Sequence, residues 1–391
     1  MAELLFPKGI DASSFLSRYW ERKPLLMRSA LPDFQCQLTP EELAGLACEP
    51  DVESRIVLEQ GGIHPWEARY GPFDEESFAT LPESHWTLLV QDVDKHLPSV
   101  ARLLEPFRFL PEWRVDDVMV SYATDQGSVG PHFDEYNVFL FQAQGRRRWR
   151  IHTQPVSEED FIPDLDLRLL PEFEAEQEWV LHPGDILYLP PRVAHWGIAE
   201  GDCLTCSIGF RAPALRELGT AWCHHVLEET FTSGYYRDPP MNRPQGAAAE
   251  IQPEAVTQLR ELFLRTFQPE VPLFRHWFGR FVTEPKPHLM VDPPDTPLTT
   301  ETLLDLWRKR ASLHRHPFSR MAFTLDVEGA DYLYANGTEY RLEKGSASFL
   351  RALTQDRTLH YGYLSEWLDE AGTADLICRL YNDGHYVFDD A

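Results

Sequence analysis

The chain has 391 residues, of which 43% are hydrophobic and 25% are charged, a composition typical of folded soluble proteins. Its formal net charge of -26 argues against general nucleic-acid binding, because phosphate backbones repel a surplus of carboxylates, and it favours a basic protein or peptide as partner. The opening sequence MAELLFPKGI has no basic stretch followed by a long apolar run, and no later segment approaches the roughly 20 apolar residues of a membrane span. We therefore expect a cytoplasmic protein.

The sequence pattern of the first half of the chain changes near residue 115, from mixed structure to short β-rich runs. Before it, Thr39-Pro40-Glu41-Glu42 forms a capping box that predicts a short helix within a region of mixed structure. From about 115 to 212, short β-rich runs alternate with Gly, Pro and Asp, which is typical of a sandwich or a small barrel. These runs are DVMVSYA, NVFLFQA, RRWRIH, EWVLH, DILYLP and LTCSIGF.

The second half begins with helical periodicity in ALRELGTAWCHHVLEETF, which returns at Val256, Leu259 and Phe263. The region from about 213 to 283 has more apolar residues than a linker needs, which predicts a self-association surface. Beyond the proline-rich stretch EPKPHLMVDPPDTPLT, a helix is expected from about Thr300. Strand-like runs follow, with a hairpin turn at Asn336-Gly337. Helices followed by a hairpin indicate a winged-helix-like module. The acidic residues around it disfavour recognition of DNA.

One group of residues has the pattern of a metal site. His132 and Asp134 are two residues apart, so on an extended strand they project from the same face. His195 follows a strand and a Pro-Pro loop and is expected to supply a third ligand from a separate strand. Two imidazoles and one carboxylate form the facial triad of non-heme Fe(II) oxygenases, which leaves positions open for a cosubstrate and dioxygen. An isolated HxD is a weak motif, so this interpretation needs a second observation.

That second observation is Arg147, in the run RRRWRI. On a strand, Arg147 shares a face with Trp149 and Ile151, so it is predicted to point into the barrel. A charged side chain on an apolar face needs a counter-ion, and the planar guanidinium suits a carboxylate such as that of 2-oxoglutarate. The alternatives are an internal salt bridge, or a strand register off by one that leaves Arg147 in solvent.

Six cysteines in a chain of this length do not form a disulfide framework. Cys203 and Cys206 have CxxC spacing, but on a strand residues three apart point to opposite faces. We therefore expect buried free thiols rather than a structural zinc site.

The order HFD, then GRRRWR, then PGDILYLPPRVAHWG resembles the JmjC branch of the cupin oxygenases. More narrowly, WRVDDVMVSYA, GPHFDEYNVFLFQAQGRRRWR and SIGFRAP resemble the bacterial ribosomal oxygenases, which hydroxylate an arginine of large-subunit ribosomal protein sixteen. The resemblance covers nearly the whole chain and implies a mixed α+β fold in three parts. These are a double-stranded β-helix (cupin or jelly-roll) barrel with an N-terminal extension in 1–212 (core about 95–212), a helical dimerisation region in 213–283 and a winged-helix-like domain in 298–391.

The resemblance also implies a site. The resemblance implies Fe(II) as the cofactor and 2-oxoglutarate and O2 as the cosubstrates. It also implies that the enzyme is a homodimer and that its substrate is a basic ribosomal protein. Its iron ligands, which are its catalytic residues, would be His132, Asp134 and His195. Its 2-oxoglutarate contacts would be Arg147 and Ser121, and its contacts to the substrate side chain would be Asp117, Tyr136 and Ser207.

The expected reaction is 3-hydroxylation of an arginine side chain. A histidyl hydroxylase of another ribosomal protein stays open, as do a metal-binding cupin without turnover and a winged-helix interaction protein with a scaffold barrel. Histone demethylation is disfavoured because the chain has no chromatin-reading module or basic region. The substrate contacts also have structural alternatives, in which Asp117 caps a turn, Tyr136 belongs to the barrel wall and Ser207 only faces the interior.

Overall fold

The computed structural model describes residues 4–32, 34, 36–60, 66–154, 161–230, 237, 249, 251–268, 270–370 and 372–388. The chain forms two compact units, Met1–Ala212 and Pro213–Ala391. The further division of the second unit into a helical region and a winged-helix-like domain stays a prediction.

The first unit combines short helices with a larger number of strands. The helices are α1 (Ala12–Arg18), α2 (Pro40–Leu46), α3 (Glu75–Ala79), α4 (Val93–His96) and α5 (Pro98–Ala101), with 3-10 turns at Arg102–Phe107 and Glu112–Arg114. The strands are β1 (Leu25–Met27), β2 (Ser54–Glu59), β3 (Trp66–Tyr70), β4 (Trp86–Val90), β5 (Val115–Ala123), β6 (Asn137–Gln144), β7 (Arg147–His152), β8 (Gln177–Leu181), β9 (Ile186–Leu189), β10 (Ala194–Ala199) and β11 (Cys203–Phe210). All six β-rich runs predicted from the sequence are strands.

Two antiparallel sheets form the barrel of this unit. The larger sheet has the order β1-β9-β6-β11-β5-β4-β2-β3, and the smaller has the order β10-β7-β8. Leu140 and Leu187 of the larger sheet share a buried cluster with Trp149 and Ile151 of the smaller one. The two sheets therefore face each other across a common interior, which is the architecture of the predicted jelly-roll barrel.

The larger sheet includes strands that precede residue 95, the expected start of the barrel core. β1 pairs with β9, and β4 pairs with β5, so β2, β3 and β4 continue the sheet beyond β5. The separate strand expected to supply His195 is β10, whose pairing with β7 was not predicted. The wall of the barrel is thus built in part from the N-terminal extension.

Local sequence patterns account for several of these elements. The Thr39 hydroxyl accepts a hydrogen bond from the Glu42 amide, and the Glu42 carboxylate accepts one from the Thr39 amide, which confirms the predicted capping box of α2. Along β7, buried Arg147, Trp149 and Ile151 alternate with less buried neighbours. The predicted inward face of this strand is therefore confirmed.

One irregularity in β5 has consequences for the site. On the neighbouring strand β11, Ile208 pairs with Val118 and Phe210 with Val115. Two residues of β5, Asp116 and Asp117, therefore lie opposite the single residue Gly209. This is a β-bulge, which bends the strand and re-aims its side chains.

The second unit begins with three longer helices, α6 (Leu215–Thr230), α7 (Pro253–Phe267) and α8 (Val271–Thr283). The remaining elements are α9 (Thr300–Arg310), β12 (Ser312–Arg315), β13 (Met321–Val327), β14 (Ala330–Ala335), β15 (Thr338–Glu343), α10 (Ala347–Gln355), β16 (Thr358–His360), α11 (Tyr361–Leu364), a 3-10 turn at Ser365–Trp367, α12 (Thr373–Asn382) and β17 (Tyr386–Val387). Asn336 and Gly337, with φ angles of 43° and 80°, form the predicted hairpin turn between β14 and β15. Helices together with this hairpin agree with the predicted winged-helix-like module.

All six cysteines are free thiols, and Cys203 and Cys206 are buried as predicted. Among the described helices, none has the length and apolar character that a membrane span requires.

Candidate active site

The three predicted metal ligands lie together at one end of the barrel. His132 belongs to the segment between β5 and β6, and its backbone exchanges hydrogen bonds of 3.0 and 2.7 Å with His195 of β10. Asp134 follows two residues later and lies outside the named strands, so the expected continuous strand through both residues is reduced to a single bridge at His132. One ligand atom from each of the three side chains lies within 4.8 Å of the others.

Both imidazoles are oriented by backbone carbonyls. Nδ1 of His132 donates to the carbonyl of Gly130, and Nδ1 of His195 donates to that of Val193, each over 2.9 Å. Because a carbonyl only accepts, each ring carries its proton on Nδ1 and keeps the Nε2 lone pair for a metal. Burial lowers the pKa of His195 to about 4, so this ring is neutral at physiological pH.

The donor set fits a divalent first-row metal with open coordination positions. Two neutral imidazoles and one carboxylate are the ligands of the non-heme Fe(II) facial triad. Of the residues that the structure describes, His132, Asp134 and His195 form the one group of three or more with this potential. The geometry thus assembles from distant parts of the chain the site that the sequence spacing predicted.

Arg147 is the second unusual residue of the barrel. Its side chain is 2% exposed, and burial lowers the pKa of its guanidinium. Nη1 donates to the Ser121 hydroxyl over 3.2 Å and to the Thr205 hydroxyl over 3.5 Å, while Nε has no hydrogen-bond partner. No carboxylate among the described residues pairs with this guanidinium. A buried cation without a counter-ion is costly, so the site fits an anionic ligand.

The residues around Arg147 hold it in this orientation. Its guanidinium carbon lies 5.2 Å from the centre of the Trp149 ring, and a methyl group on Gly197 would come within 2.9 Å of Nε. Thr205 in turn donates to the side-chain oxygen of Gln142 over 3.2 Å. Sequence reasoning found Ser121 but missed Thr205, although its two-residue spacing from Ser207 on β11 places both on the same face.

The three predicted substrate contacts line the same interior. Asp117 is 6% exposed, and its Oδ2 accepts a 2.9 Å hydrogen bond from the amide of Asp92. Ser207 is buried and lies directly opposite Met119 on β5. Tyr136 is partly exposed, and the carboxylate of Asp134, followed by burial and the carboxylates of the bulge, raises the pKa of its phenol. At this phenol the carboxylates of Asp134, Asp117 and Asp116 outweigh the opposing charge of Arg55, so the pKa is raised.

The fold and the site together define a JmjC-type oxygenase. A family model described as a JmjC domain matches residues 102–218, and one described as a ROXA-like winged helix matches residues 268–387. The first of these matches includes every predicted ligand of the metal and of 2-oxoglutarate. The second confirms the winged-helix assignment made from the sequence.

Full-length relatives narrow the class to a family. The chain is 35% identical to the ribosomal protein uL16 3-hydroxylase of Escherichia coli strain K12, over 96% of this chain and 97% of the relative. It is 31% identical to a probable ribosomal oxygenase of Haemophilus influenzae, over 98% and 97% of the two chains. The structure of the Escherichia coli ribosomal oxygenase YcfD in complex with cobalt and 2-oxoglutarate covers 100% of both chains, with a TM-score of 0.84 and 33% identity. This chain belongs to the ribosomal oxygenase family.

Proposed function

We propose that this chain is an Fe(II)- and 2-oxoglutarate-dependent protein hydroxylase that 3-hydroxylates an arginine side chain of ribosomal protein uL16. The observation that carries the proposal is the buried Arg147, whose guanidinium faces the barrel interior without a carboxylate among the described residues. A barrel that served only as a scaffold would gain nothing from such a residue. The name and the bound 2-oxoglutarate of the two Escherichia coli relatives supply the substrate and the cosubstrate.

The roles of the residues follow from their positions. His132, Asp134 and His195 would hold the iron, and their backbone-fixed tautomers keep Nε2 of both rings available. Arg147 would bind the distal carboxylate of 2-oxoglutarate through its Nε–H, which has no partner among the described residues, and the Ser121 hydroxyl, which accepts from Nη1, would turn its proton from the carbonyl of Thr205 to that carboxylate. With iron bound, dioxygen and 2-oxoglutarate would yield succinate, carbon dioxide and one oxygen atom for insertion into a C–H bond.

The protein's own contribution is positioning. Arg147 is locked by Trp149 and Gly197, so the cosubstrate is held without further rearrangement of the barrel. Asp117, Tyr136 and Ser207 would receive the substrate side chain, with carboxylate and hydroxyl acceptors for a guanidinium and a ring for it to lie against. The net charge of -26 suits a basic ribosomal protein as partner.

The partners and the location belong to the same proposal. The helices α6, α7 and α8 expose large apolar side chains, with 88% of Leu215, 58% of Phe263 and 65% of Val271 accessible. Such a surface supports a homodimer. Direct binding of nucleic acid is not expected from the acidic charge. A ribosomal protein as substrate supports a cytoplasmic location without a membrane contact.

Mass spectrometry of uL16 peptides tests the function. We expect a gain of one oxygen on an arginine after incubation with the enzyme, Fe(II), 2-oxoglutarate and dioxygen, and no gain with His195→Ala. Succinate formation without any arginine product would retain the oxygenase and discard the substrate. Absence of succinate under all conditions would favour a metal-binding cupin without turnover.

Sedimentation of the purified protein at micromolar concentration tests the dimer. The wild-type chain is expected at twice the chain mass, and Phe263→Asp at a smaller average mass, because the charge would enter an apolar interface. A wild-type chain that sediments as a monomer contradicts the proposal.

A further inference from the structure

The side chain of Gln142 on β6 is completely buried, and backbone groups determine its orientation. Its Nε2 donates to the carbonyl of Gln144 over 2.9 Å and to the carbonyl of Leu204 over 3.3 Å. Because carbonyls only accept hydrogen bonds, both must face the nitrogen of this amide, and Oε1 points elsewhere. The backbone of Gln142 is fixed as well, since it donates to the carbonyl of Asp185 and accepts from the amide of Gly184, each over 3.0 Å. The place of Oε1 is therefore set by the sheet.

This amide oxygen fixes the proton of a neighbouring hydroxyl. Thr205 is 1% exposed, and its hydroxyl donates to Oε1 of Gln142 over 3.2 Å. Cys203 forms a further side-chain hydrogen bond with the same amide, but a thiol is only a weak donor and acceptor. A hydroxyl has one proton, so what Thr205 offers to Nη1 of Arg147, 3.5 Å away, is a lone pair.

The guanidinium of Arg147 depends on the direction of this contact. Among the described residues, its hydrogen-bond acceptors are the hydroxyls of Ser121 and Thr205. A Thr205 proton turned toward Nη1 would remove one of these acceptors and set a positive hydrogen against a buried cation, which is costly away from water. By holding that proton, Gln142 keeps Thr205 in the accepting arrangement.

We propose that Gln142 is a positioning residue for the cosubstrate, which fixes the Thr205 hydroxyl as an acceptor and through it the guanidinium of Arg147. This inference rests on the proposed function and deepens it, since it assigns a residue to the binding of 2-oxoglutarate that acts through another side chain. None of the three side chains belongs to the metal triad. Loss of the contact is therefore expected to weaken 2-oxoglutarate binding and to leave metal binding unchanged.

A double-mutant cycle on the full chain tests the inference. Gln142→Met and Gln142→Leu remove the amide with two different shapes, Thr205→Val removes the hydroxyl at similar volume, and Thr205→Ser retains it. The cycle is completed by Gln142→Met combined with Thr205→Val. Gln144→Met is the matched control, because the Nε2 of this second glutamine of β6 donates to the backbone carbonyls of Leu38 and Cys36 and not to Thr205.

Calorimetry measures two dissociation constants for each variant, that of cobalt and that of 2-oxoglutarate in the cobalt-loaded protein. In Gln142→Met we expect Kd for 2-oxoglutarate to rise about tenfold, the effect of weakening one hydrogen bond to a charged group. Thr205→Val should show a similar rise, and the double variant no more than either single one, because both changes disrupt the same contact. Thr205→Ser and Gln144→Met should match the wild type, and Kd for cobalt should not change in any variant.

The outcomes separate the inference from the function on which it rests. An unchanged Kd for 2-oxoglutarate in a folded Gln142 variant overturns the inference, and so does an additive loss in the double variant, because Gln142 would then act independently of Thr205. A parallel rise of Kd for cobalt also overturns it, since it indicates a general distortion of the barrel. A wild-type protein that binds cobalt but no 2-oxoglutarate refutes the proposed function, and the inference falls with it.

The Thr205 variants decide the question if neither Gln142 variant folds. Wild-type affinity for 2-oxoglutarate in Thr205→Val overturns the inference. A tenfold loss in Thr205→Val that Thr205→Ser restores supports it, because the hydroxyl that Gln142 holds is then required.

Discussion

Replacement of Arg147 by methionine is expected to abolish function and to stabilise the ligand-free protein. The arginine is 2% exposed, and no carboxylate among the described residues balances its charge. Replacing a buried ion pair by apolar side chains of similar volume can stabilise proteins by about 1–4 kcal/mol, and a single charge without a partner has no Coulombic attraction to lose. Little is lost with the guanidinium, because Ser121 still donates to the carbonyl of Thr205 over 3.4 Å and Thr205 still donates to Gln142 over 3.2 Å.

The size of the effect follows from the size of the first unit. It spans residues 1–212, and in a domain of this length 1 kcal/mol corresponds to about 2–4 °C in the melting temperature. The Tm of Arg147→Met without ligands should therefore rise by about 2–16 °C. In the opposite direction, loss of a buried partner for the 2-oxoglutarate carboxylate costs about 3–5 kcal/mol, which is about 10²–10³-fold or more in affinity.

Thermal melting with and without cobalt and 2-oxoglutarate measures both effects. Cobalt should raise the Tm of both proteins, whose metal ligands are the same, whereas 2-oxoglutarate added to the cobalt-loaded protein should raise the Tm of the wild type further and leave that of Arg147→Met nearly unchanged. The control is Arg146→Met, which changes the neighbouring exposed arginine and should shift Tm little. If Arg147→Met without ligands melts below the wild type, or binds 2-oxoglutarate normally, the assignment of an uncompensated cation is refuted.

Three further changes test other parts of the structure. His195→Ala should abolish stoichiometric cobalt binding in calorimetry, because it removes a neutral Nε2 ligand; unchanged stoichiometry would exclude it as a ligand. Gly197→Ala places a methyl group 2.7 Å from the Trp149 ring, so it should destabilise by about 1–3 kcal/mol in urea unfolding and raise KM for 2-oxoglutarate. Gly219→Ala on α6, with open space around it, is the control and should not destabilise. Burial lowers the pKa of His385 from 6.5 to about 4, so between these pH values the unfolded chain binds a proton that the folded chain does not. The free energy of unfolding should therefore fall as pH drops from 6.5 to about 4. His385→Asn should reduce this pH dependence, and an equal slope of the free energy of unfolding against pH in both proteins would contradict the reasoning.

The inward position of Arg147 could be predicted because a strand has a period of two. Every second residue of RRWRIH is Arg147, Trp149 or Ile151, and the two besides the arginine are aromatic or apolar. The inward face was therefore predicted without knowledge of the strands that pair with this one. The triad could be proposed for a similar reason, since HxD spacing and a later histidine suffice to name three ligands. In both cases a local pattern constrains the side chain.

Features that depend on pairing between distant segments were not visible in the sequence. Strand β10 contains Gly197, which weakens a strand pattern, and it is stabilised by its pairing with β7. The role of Thr205 depends on its register opposite Ser121. Nor does the sequence DD at 116 and 117 reveal a bulge, because the extra residue is defined only by the strand against which it lies.

Strand β11 carries Thr205 beside Arg147 and Gly209 beside Asp117 and Tyr136. Four residues of extended chain span roughly 13 Å, and the hydrogen bonds to β5 and β6 on both sides keep this span constant. The strand therefore fixes the spacing between the residue proposed to bind the cosubstrate and the residues proposed to contact the substrate side chain. A larger side chain at residue 209 would thus change the surroundings of Asp117 and Tyr136 and leave the pairing that positions Thr205 beside Arg147 in place.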